Sequence, residues 1–168
     1  MILPVETTRL VVYPCNLPLL VMFLQQNEDA FRILNVHPPK SWPQEDLMEA
    51  LPYFISQLQQ MPEAYPWFCW VIADRHTRMI VGDIGFKGTP NKTGAVEIGY
   101  SILPAYRNRG YATEAVSGML SWAFMHQSVR RVLAECDATN MASVSVLRKA
   151  GMQLVANKGE MLYWQKMK

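Results

Sequence analysis

Arg107, Arg109 and Gly110 lie close together between an alternating run that ends at Leu103 and a run of small and apolar residues that begins at Tyr111. That spacing suits an anion. A helix starting near Gly110 leaves several backbone N–H groups without internal partners, and its dipole favours negative charge at the same end. Gly110 lets a phosphate approach the backbone, Ala112 keeps the next position small, and the two arginines add charge where a pyrophosphate would rest. The same residues also fit an ordinary helix start with two solvated arginines. A dinucleotide fold would need Gly-x-Gly-x-x-Gly after the first strand and an acidic residue after the second, and the chain has neither.

The elements around this turn follow from periodicity. Thr8 to Tyr13 alternates and is rich in β-branched residues, which predicts a first strand ended by Pro14. Helices are expected over Pro18 to Asn27 and Gln44 to Gln60, with the proline-rich Val36 to Pro43 as a loop between them. Trp67 to Asp74, Met79 to Lys87 and Ala95 to Leu103 read as an antiparallel meander. Ala112, Ala115, Val116, Met119, Leu120 and Ala123 share one face of a helix after Gly110. Arg131 to Asp137 reads as the next strand, so the helix is a crossover between two parallel strands. Asn140 can cap a helix that Gly151 ends, and a hairpin near Gln153 to Ala156 and Met161 to Gln165 closes the chain.

With 168 residues, half of them hydrophobic and 18% charged, the chain is expected to fold as one domain over residues 1–168. A net charge of +2 is too small to indicate a nucleic-acid binder. The apolar stretch Leu17 to Leu24 is broken by Pro18 and is too short to span a membrane. No secretory signal precedes it, so a cytoplasmic location is expected. Cys15, Cys69 and Cys136 are widely spaced, which favours reduced, buried thiols over a metal site.

Arg107-Asn108-Arg109-Gly110-Tyr111-Ala112 resembles the (Gln/Arg)-x-x-Gly-x-(Gly/Ala) turn of the GNAT superfamily of N-acetyltransferases. Glu97-Ile98-Gly99-Tyr100 with Leu103-Pro104, Asn140-Met141-Ala142-Ser143, and Val146-Leu147-Arg148-Lys149-Ala150-Gly151-Met152 are similar to its RimJ/RimL-type ribosomal-protein branch, as is Glu6-Thr7-Thr8-Arg9-Leu10. The resemblance implies a mixed α/β GNAT fold: a mostly antiparallel sheet of about seven strands flanked by about four helices, splayed at its parallel pair to admit a pantetheine arm. It implies acetyl-CoA as co-substrate and an amine as acceptor, while charge, hydropathy and cysteine spacing leave no nucleic acid, membrane or metal expected as partner. A homodimer, a longer acyl-CoA and a non-catalytic coenzyme-A sensor remain open.

Carried onto these residues, the resemblance assigns the pyrophosphate to Arg107, Asn108, Arg109, Gly110, Tyr111, Ala112 and Thr113. The pantetheine falls to strand residues about Tyr100 to Leu103, including Ile102 and Leu103, and to Asn140 and Ser143; Lys149 can serve the adenosine end. Glu97 and Glu135, on the strands flanking the gap, are the candidate proton acceptors for the amine, with Asp83 and Glu160 ranked below them. Relatives that use a tyrosine as acid toward the thiolate have it where this chain has Leu147. Ser143 is the candidate replacement, its alternative being a helix first-turn serine. Cys136 is not expected to be a nucleophile, because His37, His76 and His126 are not placed to activate it. The tryptophans fit core or cleft wall better than a cofactor platform.

Overall fold

Thr7 takes the amide of Leu10 on its hydroxyl while its own amide bonds the Leu10 carbonyl, and this tight turn divides the first extended stretch in two. The computed structural model describes residues 2–168. β1 (Val5–Glu6) and β2 (Leu10–Pro14) flank that turn and lead to α1 (Leu17–Leu24), α2 (Asp29–Leu34) and α3 (Glu45–Gln60). A 3-10 turn at Pro62–Trp67 precedes the meander β3 (Cys69–Asp74), β4 (Ile80–Phe86) and β5 (Ala95–Ile102). Beyond a second 3-10 turn at Pro104–Tyr106 come α4 (Tyr111–Met125), β6 (Arg131–Asp137), α5 (Met141–Lys149), β7 (Gln153–Lys158) and β8 (Met161–Met167).

Among the described residues eight strands form one sheet, in the order β1-β2-β3-β4-β5-β6-β8-β7. All neighbours are antiparallel except β5 and β6, joined through α4 as the crossover rule requires. Two expectations need small corrections. The sheet has eight strands instead of about seven, since β1 is a separate two-residue element. Five α-helices among the described residues replace about four, because Asp29–Leu34 winds into a short helix that Asn35 stops in the left-handed conformation.

The parallel pairing is brief, and that brevity makes the site. Only Ala95, Val96 and Glu97 pair with Arg131, Val132 and Leu133. Beyond Glu97, β5 stays with β4 up to Ile102, while β6 stays with β8 up to Asp137, so the two strands part. The Leu103 amide bonds Val81 of β4, and the Lys87 amide bonds the Glu97 carbonyl. By strand alternation the backbone groups of Ile98, Tyr100 and Ile102 then face the gap.

Each face has its own core. Trp70, Ile84, Phe86, Val96, Ile98 and Ile102 pack under α4 and α5, with Val116, Met119, Leu120 and Leu147 from those helices. Cys69, Val71 and Ala73 face the other way, against Leu20, Phe23, Leu47 and Leu51 of α1 and α3. All three cysteines are buried and unbridged. Trp67, Trp70 and Trp122 pack on one another with centroids 4.9 and 5.1 Å apart around Trp122, as core aromatics do.

Candidate active site

α4 begins without a side-chain cap. Gly110 occupies its N-cap position in the left-handed region, with φ of 79° and ψ of 1°, and its carbonyl accepts the Glu114 amide. The amides of Tyr111, Ala112 and Thr113 have no carbonyl one turn back to bond, so the helix end presents donors and positive dipole to whatever lies before it. Asn108 is also left-handed, at φ of 60°.

Arg9 holds this turn from 100 residues away. Its Nη1 donates to the Arg109 carbonyl at 2.8 Å and its Nε to Glu114 Oε2 at 2.7 Å. Thr7 and the Arg9 amide donate to the other Glu114 oxygen. Burial alone would raise the Glu114 carboxyl, but these bonds from Thr7 and Arg9 outweigh it and hold the group below its ordinary value. Arg9 also lies over the Tyr111 ring at 4.8 Å, and the Tyr111 hydroxyl donates to Asp74. Burial, then the bond to Asp74, push the Tyr111 phenol up.

A cleft of about 650 Å³ starts at this turn and follows the parting of β5 and β6. Arg107, Asn108, Gly110, Tyr111, Ala112 and Thr113 line its mouth, with Lys149 from the last turn of α5. Arg107 Nε is tied to the Ile102 carbonyl at 2.9 Å. Further in come Tyr100, Asn140 and Ser143 from the α4 and α5 face of the sheet. Ser101 and Asp46 line it from the α3 face, so the cleft reaches residues of both faces. Among the described residues no cluster of three metal-ligating side chains is present.

The sequence-predicted residues divide accordingly. The cleft collects Ile102, Arg107, Asn108, Gly110, Tyr111, Ala112, Thr113, Asn140, Ser143 and Lys149. Leu103 does not line it: its side chain is fully buried and its amide and carbonyl are used by Val81 and Tyr106. Arg109 leans over the Tyr106 ring at 5.6 Å, outside the lining. Asn140 caps α5 by accepting the Ser143 amide at 3.1 Å, which uses its side-chain oxygen and leaves its nitrogen for the cleft.

Glu97 and Glu135 sit on the two strands as expected but are not in the cleft lining; both are ion-paired to Lys87. Those two bonds offset the burial of Lys87 and raise its ammonium above the ordinary lysine value. Both carboxylates are thus already engaged with a cation.

Two half-buried side chains with enclosed polar atoms were not given this weight by the sequence. The Tyr100 hydroxyl is enclosed without a well-formed hydrogen bond; burial pushes it up, and the nearby Ser143 hydroxyl acts in the opposite direction. Asp83 Oδ2 is likewise enclosed and unpartnered, and Asp83 lies behind the lining residues Ser101 and Asp46, not in the lining itself. Burial, and secondarily the Asp46 carboxylate, push Asp83 up to about 7.

A sheet that splays at its parallel pair, with an uncapped helix start aimed along the opening, defines the class. The chain belongs to the GNAT acetyltransferase family: residues 16–153 match the model of the Acetyltransferase (GNAT) domain. The uncharacterized N-acetyltransferase YjdG of Bacillus subtilis is 32% identical over 95% of both chains. Among solved structures, the ribosomal-protein-S5-alanine acetyltransferase of Vibrio fischeri superposes with a TM-score of 0.67 at 19% identity, covering 99% of this chain and 97% of its own. RimL, a ribosomal L7/L12 α-N-protein acetyltransferase solved in complex with coenzyme A, gives 0.65 at 15% identity, with 98% and 97% covered. These two likenesses concern the fold. Acetyl transfer is the activity class of the family, whose members use acetyl-CoA.

Proposed function

We propose that this protein moves the acetyl group of acetyl-CoA onto an amine by direct attack, without an acyl-enzyme, in the cytoplasm. The observation that carries this reading is the unsatisfied N-terminus of α4 beside Arg107 and Lys149, at the mouth of a cleft that follows the β5–β6 parting. A pyrophosphate there would cap the helix, as Ser or Asp caps others. The pantetheine would bond the gap-facing backbone of Tyr100 and the Ile102 amide much as an added strand does, the Ile102 carbonyl being held by Arg107. No cysteine competes as nucleophile, since Cys15, Cys69 and Cys136 are all buried.

Base demand depends on the acceptor. A lysine-like amine costs about 4–5 kcal/mol to deprotonate at neutral pH, an α-amine about 1 kcal/mol. The ribosomal-protein acetyltransferases among the structural relatives favour a protein N-terminus as the first acceptor to try, with a small-molecule amine as the second. Incubating acetyl-CoA with ribosomal-protein N-terminal peptides, polyamines, aminoglycosides and amino acids, with thiol release and product mass as readouts, tests the reading. Release with no amine in the panel would contradict amine transfer.

Ser143 faces the cleft next to the enclosed Tyr100 hydroxyl and can donate to the leaving thiolate. Ser143→Ala is expected to lower kcat by about 10–100-fold while coenzyme affinity changes by less than about 3-fold. Single-turnover rates beside a binding titration check this. Equal turnover by the variant removes Ser143 from the chemistry.

A further inference from the structure

Two glycines of the central sheet differ in a way the fold does not explain. Gly85 of β4 is required by space, since a Cβ there would lie 1.5 Å from the Phe68 carbonyl oxygen. Gly99 pairs directly with Gly85 on β5, yet a Cβ there would meet nothing within 4 Å. Its φ lies in the range open to any residue, and a glycine inside a strand costs about 0.5–1 kcal/mol relative to alanine. Gly99 therefore leaves an open floor on the α3 face of the sheet, on a β5 stretch that has already parted from β6.

Asp83 borders that floor. It pairs with Ser101, one same-face step from Gly99, and diagonal neighbours in a sheet lie about 7–8 Å apart, room for one small group between them. Its Oδ2 is enclosed and has no partner. The groups around it offer none. Asp46 at the start of α3 repels it, and the Ser101 hydroxyl is already donated to Gln44 at 2.7 Å. From β3 come Val71 and Cys69, whose thiol is kept neutral by its contact with Cys15 and by burial. Lys87, further along the same face of β4, is held by Glu97 and Glu135. With a second carboxylate beside it and no free cation against it among the described residues, this half-buried carboxylate lacks a positively charged partner that a ligand can bring.

We infer that Asp83 receives the proton of the acceptor ammonium, which enters over Gly99 from the α3 face. This rests on the acetyl-transfer reading above. The ammonium gives one proton to the Asp83 carboxylate and becomes a neutral amine. Its nitrogen forms the bond to the thioester carbonyl carbon as the C–S bond breaks; Ser143 gives its hydroxyl proton to the departing thiolate, and the second proton lost from nitrogen restores the Ser143 hydroxyl. Asp83 then returns its proton to water. The arrangement selects a primary amine carried on a slender chain, because the floor at Gly99 is one side chain wide.

The test uses the full chain saturated with acetyl-CoA and the best acceptor of the panel, with thiol release followed on both sides of neutral pH. For the wild-type chain kcat/KM should rise through an apparent pKa near 7, because the base works only once ionised. Asp83→Asn should remove that limb and lower the rate above it by about 100-fold or more. Asp46→Asn should move the limb to lower pH by removing a like charge. Gly99→Val should raise the acceptor KM by at least about 10-fold, with acetyl-CoA affinity and melting temperature preserved. If Asp83→Asn fails to fold, the Asp46 and Gly99 variants decide. Turnover with the same pH profile in Asp83→Asn, or normal acceptor KM in Gly99→Val, overturns the inference and leaves acetyl transfer standing. No thiol release from the wild-type chain with any amine overturns both.

Discussion

Replacing Gly110 with valine is expected to weaken coenzyme A binding by at least about 100-fold, equivalent to about 2.7 kcal/mol. Two effects add. At φ of 79° a β-branched residue is strained, so the turn either shifts or stores that strain. The added side chain also grows at the helix end where a phosphate must reach the Tyr111 and Ala112 amides, and its Cβ would lie 3.2 Å from Arg9 Nη2, the guanidinium that braces Arg109. The strain should also appear as a loss of about 1–3 kcal/mol in stability. Calorimetric titration of coenzyme A into folded Gly110→Val and Gly110→Ala checks this, alanine being the milder change. Affinity equal to wild type in a folded valine variant would remove the phosphate from this turn.

The second large effect is structural. Gly85→Ala should destabilise the chain by about 3 kcal/mol or more, enough to reduce folded yield severely. The Phe68 carbonyl oxygen that the new Cβ would strike is also the acceptor of the Phe86 amide, at 3.0 Å, so it cannot withdraw without breaking the β3–β4 ladder. Gly82 is similarly confined, its Cβ position lying 2.1 Å from the Ser101 carbonyl oxygen. Denaturant unfolding of Gly85→Ala beside Gly99→Ala reads the contrast directly, since the Gly99 variant has free space and should lose nothing. A Gly85→Ala variant as stable as wild type would mean that β3 can move away from β4 at little cost.

What could be read from the sequence was local or periodic. The α4 stripe from Ala115 to Ala123, the alternation of β5, the Asn140 cap and the Gly110 bend each declare themselves within a dozen residues, and the fold places them as expected. α2 was missed because six residues without a side-chain cap carry too little periodic signal. Thr7 and Leu10 close their turn over a span that reads as one continuous strand.

The proposed site was legible at the turn assigned to the phosphates and obscure where the acceptor is proposed to enter, for the same reason. Arg107 to Thr113 is one contiguous segment, whereas Asp83, Gly99 and Ser101 become neighbours only through the β4–β5 register, and Gln44 and Asp46 reach them only when the start of α3 meets those strands. The Lys87 pairing that occupies Glu135 links residues 48 apart, and the Arg9 brace links residues 100 apart or more. Neither has a local signature. Asp83 looks like an ordinary strand carboxylate until its enclosure and missing partner are seen.

Backbone amide NMR of the labelled chain, titrated with coenzyme A, tests the central claim most directly. The expected result is that the largest shifts fall on Gly110, Tyr111, Ala112 and Thr113, and that these amides gain protection from exchange as the phosphates bond them. Saturable binding that leaves those four signals unmoved would contradict it.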